Sequence, residues 1–473
     1  MVARLRGRIL VLSLILLLFL ALAAQAEPSQ VVQAEEILKK IELGQPVEYD
    51  NVTILGYLDV GGLDLPMMPL ERTNYEIQKY KLLPKAKQVK SAISITNSKF
   101  DGLLNLNGVY FAENVSFNGD EFDESVYLSG AKFSQNADFM GALFNQNAYF
   151  SGAQFESVYF DKSIFAETVI FESSHFNRWA SFQGAVFENN TNFQGARFNT
   201  DAYFLQAVFN QTFWGYSLYF NETANFNGAH FYQDANFPNV IFEQSVYFAN
   251  SDLLNACFDD SQFSKEAIFS GALINGTLSL NRTKYDKLNI RWSSINDLAY
   301  DDTAYYLLIE NFKKQGFTDD ASECYYSYRC KHREELFRQG KVDSWFFDLL
   351  AWATNGYGLR PVRPLGWSML FILLGGAFFF VTKSISRSKG PEASGNRRRA
   401  IRGKDSPPRA GEVSFWEALL LSATYFTSGA SAIISSVPQE FSPLGRSRYV
   451  VVILRLLGWI FFVLFLTSLG KIA

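Results

Sequence analysis

The chain has 473 residues, enough for several domains, and a formal charge of −4 that is unevenly spread: +7 over residues 383–409, +3 over the first 26 and −14 over the rest. An acidic body of that kind excludes a general nucleic-acid binder, whose affinity rests on neutralising phosphates. Three cysteines without bridge spacing, three isolated histidines (His175, His230, His332) and no nucleophile–base pairing or phosphate loop argue against a disulfide scaffold, a metal site, a cofactor and an enzyme.

Residues 1–26 have the form of a secretory signal peptide. Arg4, Arg6 and Arg8 precede an apolar run from Ile9 to Leu22, and Ala24-Gln25-Ala26 is an A-x-A cleavage site. Cleaved, or kept as an anchor, it places the residues after it outside the cytoplasm, because the basic end stays in. Residues 27–90 are expected to form an N-terminal cap and lead-in. A short amphipathic helix is predicted over Val32–Leu43, with Ile37, Leu38, Ile41 and Leu43 as its apolar face and Gly44-Gln45-Pro46 as its stop. Val47–Val60 partly alternates as strands do, and Pro66–Lys87, polar with several Pro and Lys, is expected to loop out. Seven N-x-(S/T) sequons (Asn51, Asn114, Asn189, Asn210, Asn221, Asn275, Asn281) all precede the apolar C-terminal segments, in keeping with an exported domain.

The stretch 91–292 dominates the chain. In Phe133-Ser134-Gln135-Asn136-Ala137-Asp138-Phe139-Met140-Gly141-Ala142-Leu143-Phe144 a Phe recurs after six residues, then five, with a small residue two before each Phe. One series runs Phe100, Phe111, Phe122, Phe133, Phe144, Phe155, slips once through Phe160 and Phe165, and resumes as Phe176, Phe187, Phe198, Phe209, Phe220, Phe231, Phe242. Neither a helical nor a strand period fits such steps. Each step instead reads as a short flat side, with the small residue and the Phe both inward, followed by a polar corner. Four sides give about twenty-two residues per coil, stacked about 4.8 Å apart, so that Phe lies above Phe and each coil depends on its neighbours for burial. The stretch resembles the pentapeptide-repeat family, whose consensus is close to A-(D/N)-(L/F)-x-x. The resemblance implies a right-handed, four-sided β-helix, from which the six-residue steps depart.

Residues 293–358 change to helices. Asp302–Phe312, with Tyr305, Leu308, Ile309 and Phe312 on one face, and a second helix from Asp319 to about Arg338 are expected to close the C-terminal end of the solenoid as an antiparallel pair. Trp345–Ala353 reads as an interfacial helix. Thr354-Asn355-Gly356-Tyr357-Gly358 matches the potassium-filter pattern by letter, but it lacks flanking spanning helices and reads as a tight turn.

Leu365–Thr382 and Tyr449–Leu469 are apolar enough to span a membrane, the second with a single charge, Arg455. Between them lie a basic loop, 383–412, and the segment 413–437, rich in Ser, Thr, Ala and Gly. This C-terminal region resembles the two-helix pore module of the potassium-channel superfamily. The matching residues are Phe415-Trp416-Glu417-Ala418-Leu419, Tyr425-Phe426-Thr427-Ser428 and Pro438. The resemblance implies a re-entrant pore segment lined by Thr427, Ser428, Gly429, Ala430, Ser431 and Ala432, a homo-oligomer, membrane lipid as a partner and a monovalent cation as the permeant species. Where the family has G-Y-G, this chain has Gly429-Ala430-Ser431-Ala432, which removes the glycines and the aromatic cuff that support potassium selectivity. Two layouts stay open for 413–437, a re-entrant segment or a third span. With the solenoid outside, the +7 loop is cytoplasmic, as the positive-inside rule requires. The fold expected is therefore a β-solenoid with helical caps and a C-terminal transmembrane helical region in the cell membrane. Two functions compete: a channel-like protein with an extracytoplasmic solenoid, and a membrane-anchored binding or structural solenoid without transport.

Overall fold

A computed structural model describes residues 30–70, 72, 74–387, 413–428, 441–443 and 447–470. The expected signal peptide, most of the basic loop and Gly429–Ala432 lie outside the described residues. The chain divides into two units, 1–321 and 322–473.

In the first unit, four short parallel strands make each coil. Lys99–Phe100, Leu104–Asn105, Tyr110–Phe111 and Val115–Ser116 form one, and each pairs with the strand one coil on. The Phe series therefore alternates between two opposite sides. Phe100, Phe122, Phe144, Phe165, Phe187, Phe209 and Phe231 stack on one. Phe111, Phe133, Phe155, Phe176, Phe198, Phe220 and Phe242 stack on the other. Extended at both ends, the first column has twelve levels, from Val32 to Ile295. Ring spacing matches strand spacing: Phe187 and Phe209 are 4.7 Å apart with planes at 1°. Neighbouring columns meet edge to face, as Phe182 and Phe193 do at 84°. The small partners Ala148, Ala180, Ala202, Ala207 and Ala235 are buried as expected.

The five-residue steps hold a left-handed residue. Ala142 N–H donates to Phe139 O at 3.1 Å across Gly141, whose φ is +67°. The six-residue steps hold a longer corner, which is shortened by one residue not once but in four places: Phe155–Val158, Leu253–Ala256, Tyr285–Leu288 and Ile295–Leu298. At the first two, adjoining sides fuse into single strands, Gln154–Tyr159 and Asp252–Cys257. One level breaks the size pattern. Phe213 occupies the small position, paired with Thr191 and Ala235, and Gly215 stands where a Phe belongs. The Phe213 ring fills the vacancy, 4.8 Å from Phe237 and 5.8 Å from Phe193, and so continues the aromatic column from the wrong residue. Another position carries an acid: Asp120 is fully buried where the coils above it have Ala142, Ser163 and Ala185. Its carboxylate accepts from Ser98 N–H at 2.7 Å, and burial pushes its pKa up to about 8.

Helix α1, Ala34–Glu42, covers the first coils with Ala34, Ile37 and Ile41 buried; Leu38 is half-buried and Leu43 is exposed, so the expected apolar face is narrower. The lead-in strands are Val47–Asp50, Val52–Leu55 and Leu58–Asp59. The expected loop-out is shorter than 66–87, because Lys85–Val89 is already a strand of the coil. The excursion, which includes helix α2, Asn74–Tyr80, is a strap laid down one side of the solenoid. Arg72 donates to the carbonyls of Gly108 at 3.0 Å and Gly130 at 2.8 Å, and Lys79 pairs with Glu172. A Cβ on Gly130 would stand 2.2 Å from Leu82, so this corner needs glycine both for its φ of +63° and for the strap.

At the far end, helix α3, Asp302–Lys314, is N-capped by Asp301, which accepts from Ala304 N–H at 2.8 Å. It buries Tyr305, Leu308, Ile309 and Phe312. Its Asn311 side chain accepts from Leu288 N–H at 3.0 Å and donates to Leu288 O at 2.9 Å, taking the place of the next strand. This helix closes the end by itself in place of the expected pair. Helix α4, Thr318–Arg338, gives the first unit only its opening turn.

In the second unit the remainder of α4 is followed by α5, Val342–Asn355, and α6, Val362–Thr382. Helix α7, Phe415–Ser428, and helix α8, Ser447–Leu469, complete it. Strand Ile385–Arg387, after α6, pairs antiparallel with Phe441–Pro443, before α8.

Candidate functional site

The Thr354–Gly358 sequence is a tight turn. Gly356, Tyr357 and Gly358 have φ of 57°, 61° and 83°, and Asn355 accepts from Gly358 N–H. A tyrosine in the left-handed region is uncommon. Here the ring is held: its hydroxyl donates to Asp348 at 2.6 Å, and Arg333 donates to it at 2.8 Å. Burial, and then the Asp348 carboxylate, raise the Tyr357 phenol above its ordinary pKa. Arg329 pairs with the same Asp348, and the guanidinium groups of Arg333 and Arg363 lie 4.9 and 4.8 Å from the Trp352 ring. This arginine–aromatic junction at the head of α6 left no signal in the sequence, because its members come from four separate elements: α4, α5, the turn and α6.

Helices α6 and α8 are long and apolar enough to cross a membrane; of the eighteen most apolar residues in each, only 17% and 22% are buried within the chain, unlike the core helices of a soluble domain. The first starts at Val362, ahead of the expected Leu365. Between them lies α7. Its start is a capping box: Ser414 N–H donates to Glu417 at 2.8 Å, and Glu417 N–H to Ser414 Oγ at 3.3 Å. The Ser414-x-x-Glu417 spacing is the sequence signal that marks this helix start.

Contacts along α7 fix its course. Phe415 meets Phe380, near the end of α6, with ring centres 5.7 Å apart. One turn on, Gly376 faces Leu419; Gly375 then faces Ser422, whose hydroxyl donates to Ile372 O at 2.8 Å. Phe426 carbonyl lies where a Cβ on Gly458 would stand, 1.9 Å away, and Gly458 is near the middle of α8. So α7 runs antiparallel to α6, starts at the α6 C-terminal end, and its last described residue, Ser428, lies past the midpoint of both neighbours. With fourteen residues it is about 21 Å long, short of the roughly 30 Å of a bilayer core. By Phe441 the chain is back beside Ile385–Arg387, at the end where α7 began. Close contact falls at Gly375, Gly376 and Gly458.

Of the six expected lining residues, Thr427 and Ser428 end α7, the first exposed and the second half-buried; Gly429, Ala430, Ser431 and Ala432 lie outside the described residues. Apart from Ser422, the Ser and Thr hydroxyls of α7 are satisfied within the helix. Thr424, Thr427 and Ser428 donate to Leu420, Ala423 and Tyr425 carbonyls at 2.8, 2.9 and 2.8 Å. The face buried on α6 and α8 is Ala418, Leu421, Ser422, Tyr425 and Phe426; Trp416, Leu420 and Thr427 point away. Arg455, on α8, lies with its guanidinium 5.5 Å from the Tyr425 ring.

Comparison with known families bears on the first unit. Residues 128–175 and 171–216 match the pentapeptide repeats family, with nine copies. These are pentapeptide repeats. The matched residues lie within the β-solenoid, and the pentapeptide coils on either side keep the same pairing. No curated protein and no solved structure matches the chain.

Proposed function

We propose that the protein is a channel-like membrane protein. In this reading α6 and α8 are its spans, α7 is a re-entrant helix, and the pentapeptide solenoid is an extracytoplasmic domain. The observation that carries the reading is the course of the chain: α7 begins at one end of the α6–α8 pair, and Phe441–Pro443 is back at that same end. A hairpin with one half-helix cannot enclose a path alone, so the working form is a homo-oligomer. The Arg-rich N-terminus and the basic segment 383–409 support a cytoplasmic entry for the re-entrant segment. Support for conduction comes from the small and hydroxyl residues after Tyr425, which would be wetted in an assembled pore.

The competing reading, an anchor without transport, is favoured by one observation: the α7 hydroxyls already have carbonyl partners and need no water. Cysteine at Ser428 or Ser431, in the oligomer reconstituted in liposomes, separates the two. The channel reading expects reaction with a small aqueous thiol reagent and a change in conductance, while cysteine at Leu420 stays unreactive. Unreactive cysteines at both filter positions in an oligomeric preparation leave only the anchor. Orientation is tested apart from conduction. Protease on intact cells should digest 27–340 and spare an epitope at Gly395, and a protected solenoid overturns the extracytoplasmic assignment.

A further inference from the structure

Arg455 is the one charged residue between Tyr449 and Leu469. It lies eight residues into α8, about 12 Å from the end where α7 enters. Tyr425, whose ring it faces at 5.5 Å, lies ten residues into α7, about 15 Å from the same end. The guanidinium thus lies beside the aromatic face of a neighbouring helix, within the span rather than at its end. It is exposed on the single chain. Left in hydrocarbon, an arginine at a helix centre costs about 2.5–3.5 kcal/mol on insertion scales, so charges at this depth face a bundle interior or a water-filled cavity. Among the described residues of α7 the acid is Glu417, held in the capping box at the entrance, well before the last turn, where Tyr425 lies. The described parts of α6, α7 and α8 place no carboxylate at the depth of Arg455.

Taking the conduction reading above as its basis, we infer that Arg455 is the charge-selecting residue of the path and that the permeant species is a small monovalent inorganic anion. In a symmetric oligomer, one Arg455 from each copy forms a ring of fixed positive charge partway along the re-entrant helix. Rings of Arg or Lys are how anion pores exclude cations. This is the opposite sign from the cation implied by the channel-family resemblance, and it agrees with the loss of the G-Y-G carbonyl filter. The adjacent Tyr425 ring fixes the guanidinium without neutralising it, as a carboxylate would.

The test is reversal potential in planar bilayers or proteoliposomes holding the full-length oligomer across a KCl gradient, followed by replacement of chloride with gluconate. Chloride should be preferred over potassium by about tenfold or more, a charge effect worth about 1.4 kcal/mol. Arg455→Lys should keep that preference, Arg455→Gln should bring the ratio near one, and Arg455→Glu should invert it. A wild-type conductance that is cation-selective, or a selectivity unmoved by Arg455→Gln and Arg455→Glu, overturns the inference while leaving the channel reading intact. Absence of any conductance in oligomers whose Ser428 cysteine is also unreactive overturns the channel reading itself and the inference with it. If Arg455→Glu fails to assemble, the lysine and glutamine variants and the wild-type anion replacement still decide.

Discussion

The exchange at Phe213 and Gly215 gives a test of inward packing that truncation alone cannot. Phe213 is fully buried, stacked between Phe193 and Phe237 and edge-on to Phe209 at 5.0 Å. Phe213→Ala leaves its slot empty, because Gly215 supplies no side chain, and should cost about 3–5 kcal/mol. Gly215→Phe alone fails for the opposite reason. Gly215 does not have a left-handed φ, but its Cβ would stand 2.6 Å from the Phe213 ring and 2.8 Å from Leu218, so overpacking should cost about 1–3 kcal/mol or more. The double variant recreates the Ala-x-Phe order of the coil above, Ala235 to Phe237. It should recover a substantial part of the two losses, through a favourable coupling of about 3 kcal/mol, at the upper end of what contacting pairs show. Hydrogen exchange on the full chain, read at the amides of residues 191–237, reports the loss locally, because a solenoid opens by neighbouring units. A double variant no more protected than additivity predicts would refute the view that one ring-sized slot, fillable from either position, is what this level requires.

Asp120 should make the solenoid pH-sensitive. Its folded pKa of about 8 lies far above the unfolded value, so its stability contribution is full below about pH 4 and is lost as pH rises through 8. Denaturation midpoints of wild type should fall between pH 5 and 8.5 relative to Asp120→Ser, the residue type used elsewhere in that position; parallel curves refute the assignment. Asn311→Leu should leave Leu288 N–H without its partner, Leu288 O keeping Gln315, at about 1–3 kcal/mol, and speed exchange at the last coils before the middle ones. Gly458→Ala puts a methyl where Phe426 carbonyl lies, so α7 must detach from α8; the detergent-solubilised variant should melt lower, and an unchanged melting temperature shows the helices are not in contact there.

The solenoid was legible because its period is carried by side chains that must face inward. Phe at steps of five and six admits little besides a stack of short sides. The four shortened corners were less visible, since a residue lost from an exposed corner leaves the buried pattern intact. The strap could not be foreseen: Arg72 meets Gly108 and Gly130 across 36 and 58 residues, and its segment has no periodicity. In the second unit, Phe415-Trp416-Glu417-Ala418-Leu419 located the helix, yet its length suited either a span or a half-span. Its placement beside α6 and α8 comes from a three-residue ladder, Ile385–Arg387 with Phe441–Pro443, too short to leave a sequence signal, and from glycine contacts whose partners lie on other helices.

The two covered ends of the solenoid carry a consequence for how the molecule behaves in company. A stack of parallel rungs with bare ends is a seed: any second copy could dock its own first rung on the last, and the result would be a filament of unlimited length. Helix α1 at one end, and at the other Asn311 in the slot where Leu288 would meet the next rung, turn an open-ended lattice into an object of fixed length. The amides of Asn311 and Gln315 are then a terminator, and copies lacking both should lengthen end to end before they unfold.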